Sequence, residues 1–150
     1  MILYLYGQPS SGKTTISRHL STKFQAVVID GDEIRRISEN TDYSLKGRVE
    51  NITLCHNLAA FLHEKLKMNV ILALVSPIAT LREEFAKKRG DRHLICLSSQ
   101  RSKLHPHQCG YFEMGKPHLI VWTDTSEKSC AAEVEDFIRM KSGQHPHQDR

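Results

Sequence analysis

Three observations predict a doubly wound α/β domain, a five-stranded parallel sheet with helices on both faces. Short apolar, β-branched runs recur along the chain with helix-compatible stretches between them. The first run, Met1-Ile2-Leu3-Tyr4-Leu5-Tyr6, feeds directly into a glycine-rich loop, and that loop opens straight into a helical stretch. Strand, glycine loop and helix form the entry unit of such folds.

Taken in order, strands are predicted at residues 2–6, 26–29, 69–75, 93–97 and 118–122. Their apolar residues run consecutively rather than alternating, as in parallel strands covered on both faces. Helices are predicted between and after them, at 13–24, 32–39, 47–67, 78–88 and 127–141. The second helix has Asp32 as a candidate N-cap, and the fourth has Ser76 before Pro77, a cap residue followed by a first-turn proline. Residues 1–141 read as a single domain.

Residues 99–117 lack periodicity, contain Pro106, Gly110, Gly115 and Pro117, and exceed the usual connection length. They read as a lid or substrate loop. Residues 142–150, polar and proline-containing, read as a disordered tail. His-Pro-His-Gln occurs twice, at 105–108 and 145–148, and a coincidental repeat is a better reading than a metal site.

The 150 residues carry 21 Lys plus Arg against 17 Asp plus Glu. That mild excess suits an anionic ligand, and without a long basic block it gives no nucleic-acid footprint. Cys55, Cys96, Cys109 and Cys130 form no C-x-x-C pair, so packed, reduced thiols are expected rather than zinc or disulfides. No apolar stretch nears the roughly 18 residues of a membrane span, and no basic leader precedes the glycine loop. The expectation is a cytoplasmic protein without membrane or nucleic-acid partners.

The loop Gly7-Gln8-Pro9-Ser10-Ser11-Gly12-Lys13-Thr14 fits the phosphate-binding pattern G-x-x-x-x-G-K-[ST] without mismatch. Gly7 and Gly12 admit backbone angles and close approaches that a Cβ would block, so successive N–H groups can surround a β-phosphate. The following helix presents its positive end. Lys13 would reach the β- and γ-phosphates, and the Thr14 hydroxyl would ligate Mg²⁺; Thr15 is a further helix residue with no separate role. ATP binding is therefore assigned to residues 7–15.

After the second strand comes Asp30-Gly31-Asp32-Glu33-Ile34-Arg35-Arg36. Carboxylates at the carboxyl end of a neighbouring strand sit where ligands bind in open α/β sheets. Asp30 and Asp32, with one residue between them, could together hold Mg²⁺ through water and accept a proton from an attacking hydroxyl. The plainer reading is a strand-to-helix turn capped by Asp32.

With these residues the chain resembles the adenylyl-sulfate kinases. The resemblance rests on the phosphate loop, Ile29-Asp30-Gly31-Asp32-Glu33-Ile34-Arg35, Tyr43-Ser44, Arg48-Val49-Glu50-Asn51-Ile52 and Val75-Ser76-Pro77, in the family's order. It implies a P-loop kinase that moves the γ-phosphate of ATP to the 3′-hydroxyl of adenylyl sulfate. It makes Lys13, Asp30 and Asp32 catalytic, and gives Asp32, Arg35, Arg48 and Asn51 substrate contacts. Tyr43 stands where the family has a phenylalanine on the substrate adenine. Arg101 matches an arginine near the ATP adenine, Lys103 becomes a phosphate contact, and Phe112 or Tyr111 replaces a lid aromatic. Ser76 stands at the family's serine described as a phosphoserine intermediate, although in-line transfer needs no covalent stop. The resemblance also allows a homodimer.

The chain departs from the family at Gly47, where the family has the Asp-Arg pair that precedes Arg48's counterpart, and at Thr53-Leu54, where it has two basic residues. The family's K-G-x-Y-K and F-T-G-I-D lid motifs are missing from a shorter 99–117 segment. Two further readings stay open: a P-loop kinase for another small hydroxyl acceptor or nucleoside, and a non-catalytic nucleotide-binding module.

Overall fold

Residues 1–143 are described by the computed structural model. The second His-Pro-His-Gln motif, and nearly all of the segment read as a disordered tail, lie outside the described residues.

The first apolar run forms β1 (Ile2–Tyr6) and the glycine loop opens α1 (Lys13–Phe24), both at the expected bounds. There follow β2 (Ala26–Asp30), α2 (Gly31–Ser38), α3 (Leu45–Leu66), β3 (Asn69–Leu74), α4 (Ala79–Lys87), β4 (Arg92–Ser98), a 3₁₀ turn (Gln100–Leu104), β5 (Leu119–Trp122) and α5 (Glu127–Lys141). The strands form one sheet in the order β2-β3-β1-β4-β5, every pair parallel. The fold is thus the predicted five-stranded α/β sheet.

β1 sits at the centre of the sheet, and its alternation divides the core. Ile2, Tyr4 and Tyr6 pack with Cys55 and Ala59 of α3 and with Phe85 of α4. Leu3 and Leu5 pack with Ile16 and Leu20 of α1 and with Val134 and Ile138 of α5. In register, Tyr6 stands beside Leu74 of β3 and Cys96 of β4, so β1 and β3 end together while β4 runs on to Ser98.

Capping moves some boundaries from their sequence-predicted positions. α2 starts at Gly31 because Asp30, not Asp32, is the N-cap; its carboxylate accepts from the backbone N–H groups of Asp32 and Glu33. α3 starts at Leu45, earlier than expected, because Ser44 caps it through the N–H of Gly47. Ser76 does not cap α4: the N-cap is Ile78, without a side-chain bond, and the Ala79 N–H donates to Glu113 Oε1 from the 99–117 segment. All four cysteines are buried free thiols.

Candidate functional site

The phosphate loop is shaped by its glycines. A Cβ on Gly7 would collide with the Leu97 carbonyl oxygen of β4, and Gly12 has φ 95. As the N-cap of α1, Gly12 gives no side-chain bond, which leaves the first N–H groups of the helix to a ligand. The Lys13 ammonium donates to Gly7 O (2.8 Å), Gln8 O (2.7 Å) and Ser11 Oγ (3.2 Å). Burial pulls its pKa down to about 8, against the pull of Asp32 and Asp30. Pro9, Ser10, Gly12, Lys13, Thr14 and Thr15 line the main cavity, while Gly7 and Ser11 lie buried behind it. Thr123, at the end of β5, donates from Oγ1 to Ser11 O and fixes the loop from the far side.

The acidic turn divides its work between two carboxylates. Asp30 Oδ1 accepts from Asp32 N (2.8 Å) and Glu33 N (3.4 Å), while Asp32, exposed on the first turn of α2, is bound in no such cap. Both line the cavity. One oxygen of Asp30 is committed to the helix, and Asp32 keeps its whole carboxylate.

Arg35 is buried, and its Nη1 donates to Asn40 O, Asn40 Oδ1 and Asp42 O. Its guanidinium stacks 4.2 Å from the Tyr43 ring centroid, which covers one face of that ring. Arg48 donates from Nε to Tyr43 O and lies near the rings of Tyr43 and Tyr111. Asn51 donates from Nδ2 to Gly31 O, and its buried Oδ1 has no partner among the described residues. Gly47 has a local cause of its own: a Cβ there would strike the Asp42 carbonyl oxygen, so this residue lets the 40–44 loop fold against α3. Arg35, Tyr43, Arg48 and Asn51 all line the same cavity as the phosphate loop.

Ser76, 2% exposed with φ 40, closes the floor. Its hydroxyl pairs with Tyr4 Oη at 2.7 Å, and Tyr4 Oη in turn lies 2.6 Å from His56 Nε2. Burial holds the Tyr4 phenol well above its ordinary pKa; burial, helped by Arg92 and Lys88, pulls His56 down to about 3. This chain of three groups therefore stays uncharged at neutral pH.

The 99–117 segment is a strap fastened to the body. Asp124 accepts from Ser99 Oγ and Gln100 N at its root. At its far end Tyr6 Oη donates to Met114 O, and Arg82 donates to Ser76 O, Glu113 O and Met114 O. Arg82 is fully buried against the Tyr6 ring, 3.9 Å from its centroid. Between these anchors the Gln8 side chain pairs with the Cys109 backbone, Nε2 to O at 2.8 Å and N to Oε1 at 2.9 Å.

Arg101 lines the cavity and donates to Thr123 O and Oγ1, whereas Lys103 is exposed and is no part of the lining. Phe112 is set apart from the cavity. It packs against the core beside Tyr6 and Arg82 and does not line the cavity, because the Arg82 and Tyr6 bonds draw this stretch onto α4. Tyr111, half exposed, lies beside Arg48 and is likewise no part of the lining. His105 and His107, set aside in the sequence as part of a chance repeat, line the cavity, as do Thr123, Thr125, Ser126 and Cys130. No group of three or more metal-ligating His, Cys, Asp or Glu occurs among the described residues.

These residues enclose one cavity of about 1370 Å³ at the carboxyl ends of the strands. The model of the family described as adenylylsulphate kinase matches residues 1–100. The chain belongs to the adenylylsulphate kinase family. It is a P-loop kinase, a nucleotide-binding phosphotransferase with an alcohol group as acceptor. Among solved structures, the fold is similar to that of the Mycobacterium tuberculosis APS kinase CysC in complex with AMPPNP and APS. The TM-score is 0.77 at 21% identity, over 92% of this chain and 96% of that one. The hexameric APS kinase from Thiobacillus denitrificans gives a TM-score of 0.73 at 17% identity, over 97% of this chain and 29% of that one. Shikimate kinase from Aquifex aeolicus gives 0.66 at 18% identity, over 97% and 100%. At these identities the likeness shows the fold. No curated protein matches the sequence. No described helix is long and apolar enough to cross a membrane.

Proposed function

We propose that this kinase transfers the γ-phosphate of ATP to the 3′-hydroxyl of adenylyl sulfate. The observation that carries the reading is the single cavity, whose 1370 Å³ exceeds the roughly 300–1,000 Å³ of a one-ligand site and joins the phosphate loop to Arg35, Tyr43, Arg48 and Asn51. In this reading the triphosphate lies along residues 7–15, drawing Lys13 from its loop carbonyls, with Arg101 near the ATP adenine. Arg48 and Arg35 supply cationic donors for the phosphosulfate, Tyr43 supplies aromatic surface, and the unpartnered Asn51 Oδ1 accepts from a sugar or base. Asp32 takes the proton of the attacking 3′-hydroxyl. Ser76, its hydroxyl engaged by Tyr4, shapes the floor and needs no covalent role.

Mg²⁺ fits the donor set. The Thr14 hydroxyl and the uncommitted oxygen of Asp30 are hard ligands, and a site without three clustered acids suits a cation that draws its other ligands from phosphates and water. When bound it would neutralise charge developing between the β- and γ-phosphates. The four buried free thiols fit a reducing cytoplasm.

A second reading, a different small hydroxyl acceptor, is favoured by the position of Phe112, which packs on the core and leaves the cavity lining without an aromatic ring from residues 110–117. An ADP-release assay over an acceptor panel headed by adenylyl sulfate separates the two. Turnover is expected with adenylyl sulfate, and turnover only with another alcohol would overturn the first reading. In the same assay Asp32→Asn is expected to lower turnover about 10²–10⁴-fold while ATP affinity changes little.

A further inference from the structure

One residue of the phosphate loop touches both halves of the machinery. The Gln8 backbone carbonyl accepts from Lys13 Nζ at 2.7 Å and from Ser11 N at 3.2 Å. Its side-chain amide uses its donor and its acceptor together on the Cys109 backbone. Only a carboxamide of this length offers one donor and one acceptor in that pairing, much as a neighbouring strand would.

The pairing falls at a particular place in the strap. The Asp124 bonds hold its root at Ser99 and Gln100, and its far end is held from Glu113 onward by Pro77 O, Arg82 and Tyr6. The turn from His105 to Cys109 is stitched internally: His107 N donates to His105 Nδ1 and Gln108 N to His105 O. Among the described residues, the hydrogen bonds that tie this turn to the body of the protein are those of Gln8. All five residues of the turn line the same cavity as Lys13.

We propose that Gln8 is a positioning residue that clamps the His105–Cys109 turn as a roof over the phosphate end of the cavity. Because its carbonyl is also a seat of the Lys13 ammonium, a phosphate that draws Lys13 away acts on the residue that holds the roof. Loop and roof then move as one unit, and the roof keeps water from the transferring phosphate. This rests on the phosphoryl-transfer reading, yet the clamp itself can be measured without any acceptor.

The test replaces Gln8→Leu, which keeps the volume and removes both hydrogen bonds, with Gln8→Met as a second, unbranched variant. Hydrogen exchange of the Cys109 amide is read in the full chain with and without a non-hydrolysable ATP analogue. Losing two neutral hydrogen bonds should speed that exchange about tenfold to a hundredfold in both variants, while amides of β1 exchange as in the wild type. In turnover, kcat for transfer should fall about tenfold with KM for ATP within about twofold, and the fraction of ADP formed by hydrolysis should rise. A merely structural defect would move β1 exchange and KM together with kcat. Unchanged Cys109 exchange in a folded variant overturns the clamp. Faster exchange with an unaltered ratio of hydrolysis to transfer overturns the roof. A wild type that exchanges as expected but never phosphorylates adenylyl sulfate removes the acceptor assignment and leaves the clamp standing.

Discussion

The phosphate loop and the strap face each other across one cavity but are held by interactions of different range. The loop is shaped from within: two glycines, a helix start and a lysine that folds back on its own carbonyls five and six residues away. The strap has one short 3₁₀ turn and is positioned from outside, by Tyr6, Gln8, Arg82 and Asp124. A locally built element can keep its shape while the rest of the site varies. A remotely fastened one depends on each anchor, and two of those anchors, Tyr6 and Arg82, are fully buried.

The sharpest way to break the contrast is Lys13→Met. Removing the charged donor should cost turnover about 10²–10³-fold or more, with no loss in melting temperature, since burial already penalises the ammonium. A transfer assay beside a thermal melt checks both halves of that statement. Arg82→Leu should do the reverse. It strips the Ser76 and Glu113 carbonyls of their side-chain donor and leaves Met114 O to Tyr6 Oη alone, at a cost of about 3 kcal/mol, or roughly 10 °C in melting temperature. Proteolysis at Arg101, Lys103 and Lys116 should accelerate with it. If Arg82→Leu melts like the wild type, the strap is not fastened through the core.

A pH titration sharpens the comparison at smaller scale. Folded Lys13 gives up its proton near pH 8, and the unfolded chain keeps it to about 10.5. ATP affinity should therefore weaken roughly tenfold per unit above pH 8. Across pH 8–10.5 the unfolded state binds more protons at this residue, so its contribution to stability rises with pH. Calorimetric ATP titrations and denaturant melts at pH 7.5 and 9 should diverge in those directions. The smallest effects separate two neighbours in the strap. Tyr111→Leu should change acceptor KM a few-fold through Arg48 (about 0.5–1 kcal/mol) with little effect on stability, and Phe112→Leu should cost about 1 kcal/mol of stability with little effect on KM.

The same difference of range explains what could be read from the chain. β1, α1 and α5 were legible to the residue because each is written in consecutive positions: an apolar run, a glycine loop, a helical stretch. The bound of α2 moved by one residue, since nothing local decides which of Asp30 and Asp32 turns its carboxylate onto the helix start. The strap was legible only as a long, unpatterned connection. Its fastenings span 101 residues from Gln8 to Cys109 and 108 from Tyr6 to Met114. Nothing within residues 78–88 announces that Arg82 will be fully buried, or that Phe112 will follow it inward and leave Tyr111 outside. Ser76 was similarly opaque: its partner Tyr4 lies 72 residues away, and the cap it might have formed is supplied to α4 by Glu113.

The cap on α2 makes a short lever. Asp30 is the last residue of β2, anchored by its register with Ala73, and its carboxylate grips the first turn of a helix two turns long. Arg35 sits on the same helix, tied to the 40–42 backbone and to the Tyr43 ring. Asp30 and Arg35, both in the cavity lining, are thus joined through one short capped helix, so neither can shift without the other.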